Sequence, residues 1–283
     1  MSDEQQPTRG SLTVVGTGIK SIAHVTTETP SYIATADRVL YAIPDWATQE
    51  WVRRQNPRAE PLGDYLEGQP RKVTYERWVE RILECLEAGE KVCVVFYGHP
   101  GVFTYASHEA IRRARERGYS ARMLPSVSVD GVLFADVGID PGVAGCVSYE
   151  ATDFLIRPRQ VDTSTGLLLW QAGVVGQLQS EEPASSARRQ RILAETLIAH
   201  YGAQHPVVVY EAAVMPYLEP SILHMPLSEL SERGLSRIAT LYVRPRQRAS
   251  LDMTMVDRLG IPRSQLGALE VGPIEGASLP ESL

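Results

Sequence analysis

Three features of the sequence predict an α/β protein of two domains. The run Val92–Phe96 is continuously apolar and mostly β-branched or aromatic, the pattern of a strand covered on both faces. It breaks directly into Gly98-His99-Pro100-Gly101 and a helical pattern follows; a loop at the carboxyl end of a buried strand is where open α/β sheets bind ligands. Short apolar runs alternate with amphipathic stretches through both halves of the chain. With 283 residues, 43% of them apolar, the chain has material for two cores. Taken alone, the glycines and Pro100 of the central loop also fit an ordinary tight turn.

In chain order, Ser11–Val15 reads as the first strand and runs into Gly16-Thr17-Gly18. That is the start of a dinucleotide fingerprint, but Ser21 stands where its third glycine belongs. The case for a nicotinamide enzyme is weakened, and a plain strand-to-helix turn is the other reading. Residues 30–36 are helical, with Pro30 suited to the first turn. Residues 38–43 form the next strand and 47–55 the next helix. Residues 56–74 are irregular, rich in Gly and Pro, and hold Tyr65 and Arg71. Thr74 is the expected N-cap of a helix carrying Tyr75, Trp78, Val79, Ile82 and Leu86 on one face and ending at Gly89. Tyr75 then sits in the first turn, where a core tyrosine is the alternative to a functional one.

After the central strand, residues 107–117 are helical and close at Gly118. Arg112, Arg113, Arg115 and Arg117, with Glu109 and Glu116 among them, read as a solvated face. Residues 121–124 form a strand that Pro125 stops, and Ser126-Val127-Ser128 leads into a helix. The second half offers a turn at Asp140-Pro141-Gly142, strands at 146–149, 166–170, 206–210 and 238–243, and a helix at 188–200. Residues 179–186 read as an exposed loop, 227–230 as a short helix, and a last helical patch surrounds Met255 and Leu259. The expected domains are 11–125 and 126–245, flanked by a disordered N-terminus, 1–10, and a tail, 246–283.

The formal charge of -6 argues against a nucleic-acid surface. Cys85, Cys93 and Cys146 show neither pairing nor zinc spacing, so a reducing cytoplasm is the expected compartment, no metal is expected, and Cys93 belongs to a core. No apolar run reaches a membrane span, and the polar N-terminus lacks the apolar centre of a signal peptide.

Three strings carry a family resemblance. Val14-Val15-Gly16-Thr17-Gly18, Tyr97-Gly98-His99-Pro100-Gly101-Val102-Phe103 and Leu124-Pro125-Ser126-Val127-Ser128 resemble successive motifs of the tetrapyrrole methylase superfamily. The full Tyr97–Phe103 string is narrower and resembles the borosin peptide backbone α-N-methyltransferases, of the omphalotin type. Further matches are Phe134-Ala135-Asp136, Ile139-Asp140-Pro141, Tyr149-Glu150-Ala151, 153–157 and 205–208, so that the resemblance covers residues 11 to 260.

The resemblance implies two α/β domains with S-adenosylmethionine in the cleft between them, in a homodimer. Tyr65, Arg71, Tyr75 and Tyr97 match the family's catalytic positions. Tyr97, His99, Val102, Phe103, Ser128, Val129, Gln171, Ala212, Ala239 and Thr240 match its cofactor-contact positions. Leu62, Gly63 and Asp64 depart from the tyrosines that precede the first catalytic tyrosine in the family, and Val129 and Ala239 replace other small residues. Fused members continue into a hydrophobic core peptide that they methylate. Residues 273–283 hold no such run, which implies the split type with a separate precursor peptide; a truncated fused chain would read the same.

The implied reaction is demanding at the acceptor. A peptide nitrogen is delocalised into its carbonyl, with a resonance barrier of about 18–20 kcal/mol. An arginine at the carbonyl oxygen, the role expected for Arg71, favours the imidate-like form. Tyr75 and Tyr65 are the expected bases, and Tyr97 the positioning group. Two rivals share the cofactor: a methylase of corrinoid ring carbons, which needs no Tyr65–Arg71–Tyr75 set, and a non-catalytic S-adenosylmethionine-binding scaffold.

Overall fold

The structure, a computed structural model, describes residues 10–64, 66, 69–178 and 186–269. Its chain divides into two compact units. The first takes the described residues up to Ala135 together with Leu178 and 212–219; the second takes the rest, from Asp136. Leu178 and the 212–219 segment are tied into the first unit by backbone bonds, Arg71 N–H to the Leu178 carbonyl at 3.2 Å and Ser21 N–H to the Val214 carbonyl at 2.7 Å.

The first unit runs β1 (Ser11–Gly16), α1 (Thr29–Ala34), β2 (Arg38–Ala42), α2 (Trp46–Gln55), β3 (Ala59–Pro61), α3 (Arg71–Glu87), β4 (Lys91–Phe96), α4 (Tyr105–Glu116), β5 (Ser120–Met123) and α5 (Val129–Val137), whose last two residues belong to the second unit. Its sheet has the order β3-β2-β4-β1-β5, and every pairing is parallel. The unbroken apolar run of β4 follows from this position. Side chains alternate between faces along a strand. Val92, Val94 and Phe96 therefore pack with Leu12, Val14, Trp78, Ile82 and Leu86, while Cys93 and Val95 pack with Val15, Ile33, Val39 and Val52 on the other face. Both faces are dry, and each such fully buried side chain is worth about 1.5–3 kcal/mol relative to exposure.

Helix α3 starts four residues before the Tyr75 start expected from a Thr74 N-cap. Pro70 precedes its first turn, and Arg71 is its first residue. The Thr74 hydroxyl instead accepts the Leu66 N–H at 3.0 Å, so it satisfies the irregular segment rather than the helix end. Tyr75 consequently lies beyond the first turn. The helix ends where read: Gly89 adopts φ +81° after Ala88.

The second unit runs α6 (Pro141–Ala144), β6 (Cys146–Glu150), α7 (Ala151–Ile156), β7 (Gly166–Trp170), α8 (Ala187–Tyr201), β8 (Pro206–Glu211), β9 (Ser221–Pro226), α9 (Leu230–Arg233), β10 (Thr240–Val243) and α10 (Met253–Arg258). The strand order is β6-β7-β10-β8-β9; β6 and β7 are parallel and the other pairs antiparallel. Leu167, Leu169, Val207, Val209, Leu241 and Val243 meet Leu193 and Leu197 of α8 in its core.

Four features differ from the expected elements. The strand β3 lies inside the segment read as irregular, and β9 and α7 were not anticipated. The Asp140 turn opens a single-turn helix, with Asp140 Oδ1 accepting the Gly142 N–H at 2.8 Å. Arg112 and Arg113 are laced to Glu109, Glu116, Glu76 and Glu80, as a solvated face requires, although Arg113 reaches across to α3. Residues 179–185 of the expected 179–186 loop, and the tail from Gly272, lie outside the described residues. No helix among the described residues is long and apolar enough to cross a membrane.

Candidate functional site

In the first sheet β1 and β4 are neighbours, yet the chain leaves them in opposite directions, β1 toward β2 and β4 toward β5. Their carboxyl ends, aligned at the Gly16–Phe96 pair, therefore form the topological switch point where such sheets bind ligands. The two loops that emerge there are knitted together. Gly98 N–H donates to the Gly18 carbonyl at 3.0 Å, and Gly18 N–H to the Gly98 carbonyl at 3.3 Å. Both glycines hold positive φ, +70° and +74°. A Cβ on Gly16 would lie 2.2 Å from the Gly98 carbonyl oxygen and 2.7 Å from Pro100 Cδ, so only glycine permits this approach.

The loop after β4 is held from within. Gly101 N–H donates to His99 Nδ1 at 3.0 Å, and Val102 N–H to the His99 carbonyl at 3.1 Å. His108 Nε2 meets the Gly101 carbonyl at 2.9 Å, and the Ser107 hydroxyl donates to the carbonyls of Pro100 and Thr104. At the end of this scaffold Phe103 has φ +53° and a half-exposed ring. A left-handed phenylalanine costs of order 1–3 kcal/mol and persists only where its surroundings enforce it. Tyr97 is half-buried, with its N–H on the Ala42 carbonyl at 3.1 Å. Burial, and then the charge of Asp45, hold its phenol above the ordinary tyrosine pKa, so Tyr97 is a protonated donor at neutral pH.

Beside the loops, the buried hydroxyls of Ser126 and Ser128 have no hydrogen-bond partner among the described residues. The Gly16 approach reaches Ser126, whose Cβ lies 2.8 Å from where a Gly16 Cβ would be. Val129 opens α5, and Ala212 is half-buried just after β8. Buried hydroxyls are normally paired. Two neighbouring orphans at a glycine-built switch point fit a ligand bearing polar groups.

Arg71 and Tyr75 sit on the amino-terminal part of α3, both half-buried. Tyr75 packs on Trp78 with ring centroids 5.5 Å apart and on Tyr105 at 6.3 Å. Tyr105 is the first residue of α4, directly beyond the glycine loop, and no sequence signal singled it out. The described ties of Tyr75 thus run toward the end of that loop, and those of Tyr97 toward Ala42 and Asp45. Tyr65 lies outside the described residues. A hollow of about 720 Å³ opens along the face of α3 formed by Val73, Arg77, Trp78 and Arg81 with Leu62 and Leu66; none of the described expected positions lines it.

In the second unit, Gln171 follows β7 in the left-handed conformation, φ +56°. The adjoining Ala172 N–H donates to the Ala239 carbonyl at 3.1 Å, which brings Gln171 beside the start of β10, where Ala239 and Thr240 are buried. The 172–174 turn presses so closely on the next segment that a Cβ on Gly173 would overlap the Ser236 carbonyl oxygen, 1.5 Å away. Two of the three non-glycine residues with positive φ among the described residues, Phe103 and Gln171, are thus expected cofactor-contact positions.

Residues 11–231 match the tetrapyrrole (corrin/porphyrin) methylases. The chain belongs to that family. The chain is 40% identical over 264 residues to the methyltransferase/ribosomally synthesized cyclic peptide gymnopeptides precursor of Gymnopus fusipes, covering 92% of this chain and 63% of that protein. It is 39% identical over 264 residues to the corresponding omphalotin A precursor protein of Omphalotus olearius, again covering 92% of this chain and 63% of that one. The chain therefore spans less than two thirds of the length of these relatives. Among solved structures, its fold is similar to that of cobalt precorrin-4 methyltransferase, with a TM-score of 0.60, 16% identity and coverage of 86% of this chain and 98% of that one. It is also similar to uroporphyrin-III-C-methyltransferase from Thermus thermophilus, with a TM-score of 0.58, 19% identity and coverage of 90% and 98%. The chain thus has the mixed α/β, two-sheet fold of those enzymes.

Proposed function

We propose that this protein is an S-adenosylmethionine-dependent peptide methyltransferase that α-N-methylates backbone amides in a separately encoded precursor peptide with a hydrophobic core. The observation that carries the reading is the 40% identity, across 92% of the chain, with proteins described as methyltransferases joined to cyclic-peptide precursors. The ring methylases share the fold at only 16–19% identity.

The residues present fit the cofactor. In the first unit, orphaned hydroxyls at Ser126 and Ser128, a loop built around Gly98 and His99, and the enforced backbone of Phe103 supply polar and main-chain contacts of the kind an adenosyl amino acid requires; in the second, Gln171 holds an enforced left-handed backbone of its own. When bound, S-adenosylmethionine supplies an electrophilic methyl group on a cationic sulfur. The chain's own task is to make the amide receptive. Arg71 donates to the amide carbonyl oxygen and favours the imidate-like form; a donor of this kind is typically worth about 10²–10³ in turnover. Tyr75 or Tyr65 accepts the N–H proton, and must be in its phenolate form to do so. Tyr97, held protonated by burial and Asp45, orients the acceptor through its hydroxyl. The protein works as a homodimer in the cytoplasm in this reading.

The test is incubation with S-adenosylmethionine and either a hydrophobic precursor peptide or a precorrin, followed by mass spectrometry. Mass steps of one methyl per hydrogen, localised by fragmentation to backbone nitrogens of the peptide, support the proposal. Methylation of the precorrin alone supports the ring methylase, and binding without turnover on either supports a scaffold.

A further inference from the structure

Tyr105 stands where two parts of the first unit meet. Its hydroxyl donates to Glu76 Oε1 at 2.6 Å, one residue from Tyr75 on α3. Its ring packs on that of Tyr75 with centroids 6.3 Å apart, and the ammonium of Lys72 lies 6.0 Å from the Tyr105 ring centroid. Glu76 is itself fixed from α4: Arg113 reaches Glu76 Oε2 at 2.6 Å, Glu80 Oε1 at 2.7 Å and Glu109 Oε1 at 2.6 Å. The guanidinium thus forks three carboxylates, and the far oxygen of one of them accepts from the phenol. Meanwhile Tyr105 begins α4 two residues after the left-handed Phe103, at the end of the loop that His99, Ser107 and His108 hold rigid.

We propose that Tyr105 is a positioning residue for the methyl transfer: through its bond to Glu76 and its packing on Tyr75, it sets the Tyr75 phenol relative to the Tyr97–Phe103 loop. The inference rests on the reading of Tyr75 as a base given above. Three features favour orientation over bulk stability. The bond is charge-assisted, which makes it short and directional. The Tyr105 side chain is partly exposed, 39% for the residue, so it adds little to the core. The hydrogen bond to the Glu76 carboxylate, followed by burial, raises the phenol's pKa, and Tyr105 and Arg113 together lower that of Glu76. The donor therefore stays protonated and the acceptor ionised through the neutral range.

The test compares wild-type enzyme with Tyr105→Phe, Tyr105→Ala and Glu76→Gln. Phe keeps the ring and removes the donor, and Gln keeps the shape and removes the charge. Steady-state methylation of a hydrophobic peptide is expected to show kcat down about tenfold in Tyr105→Phe, the scale of losing one hydrogen bond to a charged group, with S-adenosylhomocysteine affinity within about twofold of wild type. Tyr105→Ala loses more in kcat. The pH profile of kcat is expected to shift in both Tyr105 variants, because the ring that seats Tyr75 is then no longer held by Glu76, with Lys72, Glu109 and Arg113 the other charged groups around Tyr105. A purely structural role lowers the thermal midpoint without moving that profile. In parallel, ring-labelled tyrosine NMR follows the Tyr75 resonance and its titration with no substrate present. A changed Tyr75 signal in Tyr105→Phe supports the inference even if no peptide is methylated by the wild type, an outcome that counts against the proposed reaction alone. An unchanged Tyr75 titration, or unchanged kcat in an active enzyme, overturns it.

Discussion

Gly18 and Gly98 exchange backbone hydrogen bonds, each N–H on the other's carbonyl, and so join the loops that leave adjacent strands β1 and β4. Neither residue belongs to a side-chain site, yet the pair fixes the spacing on which the surrounding side chains depend. The consequences are measurable at Gly16, just before the bridge. In Gly16→Ala the new methyl meets a main-chain oxygen at 2.2 Å, which no rotamer change relieves. Gly98→Ala meets only the tip of Ile19 at 3.6 Å and suffers from its φ of +74° alone.

Chemical denaturation is therefore expected to rank the two. Gly98→Ala should lose about 1–2 kcal/mol, the left-handed penalty. Gly16→Ala should lose about 3 kcal/mol, the upper range of overpacking, with S-adenosylhomocysteine affinity falling alongside.

Ser128→Ala and Ser126→Ala separate ligand contact from folding. Each hydroxyl is buried without a partner, a deficit of about 1–3 kcal/mol per group. Removing either should leave the unliganded protein as stable as wild type or more so. At least one of the two variants should bind S-adenosylhomocysteine about 5- to 10-fold more weakly by calorimetry, the scale of one hydrogen bond. Destabilisation with unchanged affinity would mean that these hydroxyls serve the fold.

The buried tyrosines of the second unit predict alkaline unfolding. Burial pushes the phenols of Tyr201 and Tyr242 up to about 12, from an ordinary value of 10.0. Between these values the unfolded chain gives up protons that the native chain retains. Their contribution is thus complete below pH 10 and is lost as pH rises toward 12. Denaturation midpoints measured from about pH 9 to 12 should fall steeply, and the slope should be shallower in Tyr201→Phe. An equal slope in that variant would show that Tyr201 ionises natively.

Much of this architecture is legible in the sequence, for identifiable reasons. The β4 run Val92–Phe96 announces itself because both of its faces are covered, and Gly89 and Gly118 mark helix ends because each needs a positive φ. What escapes is short or dictated from a distance. The strand β3 has three residues and ends on a proline, and α7 is six residues capped by Glu150. Thr74 reads as a cap by chemistry, but its hydroxyl is claimed by Leu66 across a loop. Around the candidate site, motif strings point to His99 and Ser128, and the family resemblance adds Gln171. The orphaned state of Ser128, the left-handed backbone of Gln171 and the seat of Tyr105 against Tyr75 are tertiary facts with no local signature.

The central claim is that one guanidinium activates the amide, and the direct measurement is single-turnover methylation by Arg71→Ala beside its S-adenosylhomocysteine affinity. The account predicts a rate lower by at least about 10²-fold with affinity within about twofold of wild type. Turnover within tenfold of wild type, or a parallel loss of turnover and affinity, would contradict it.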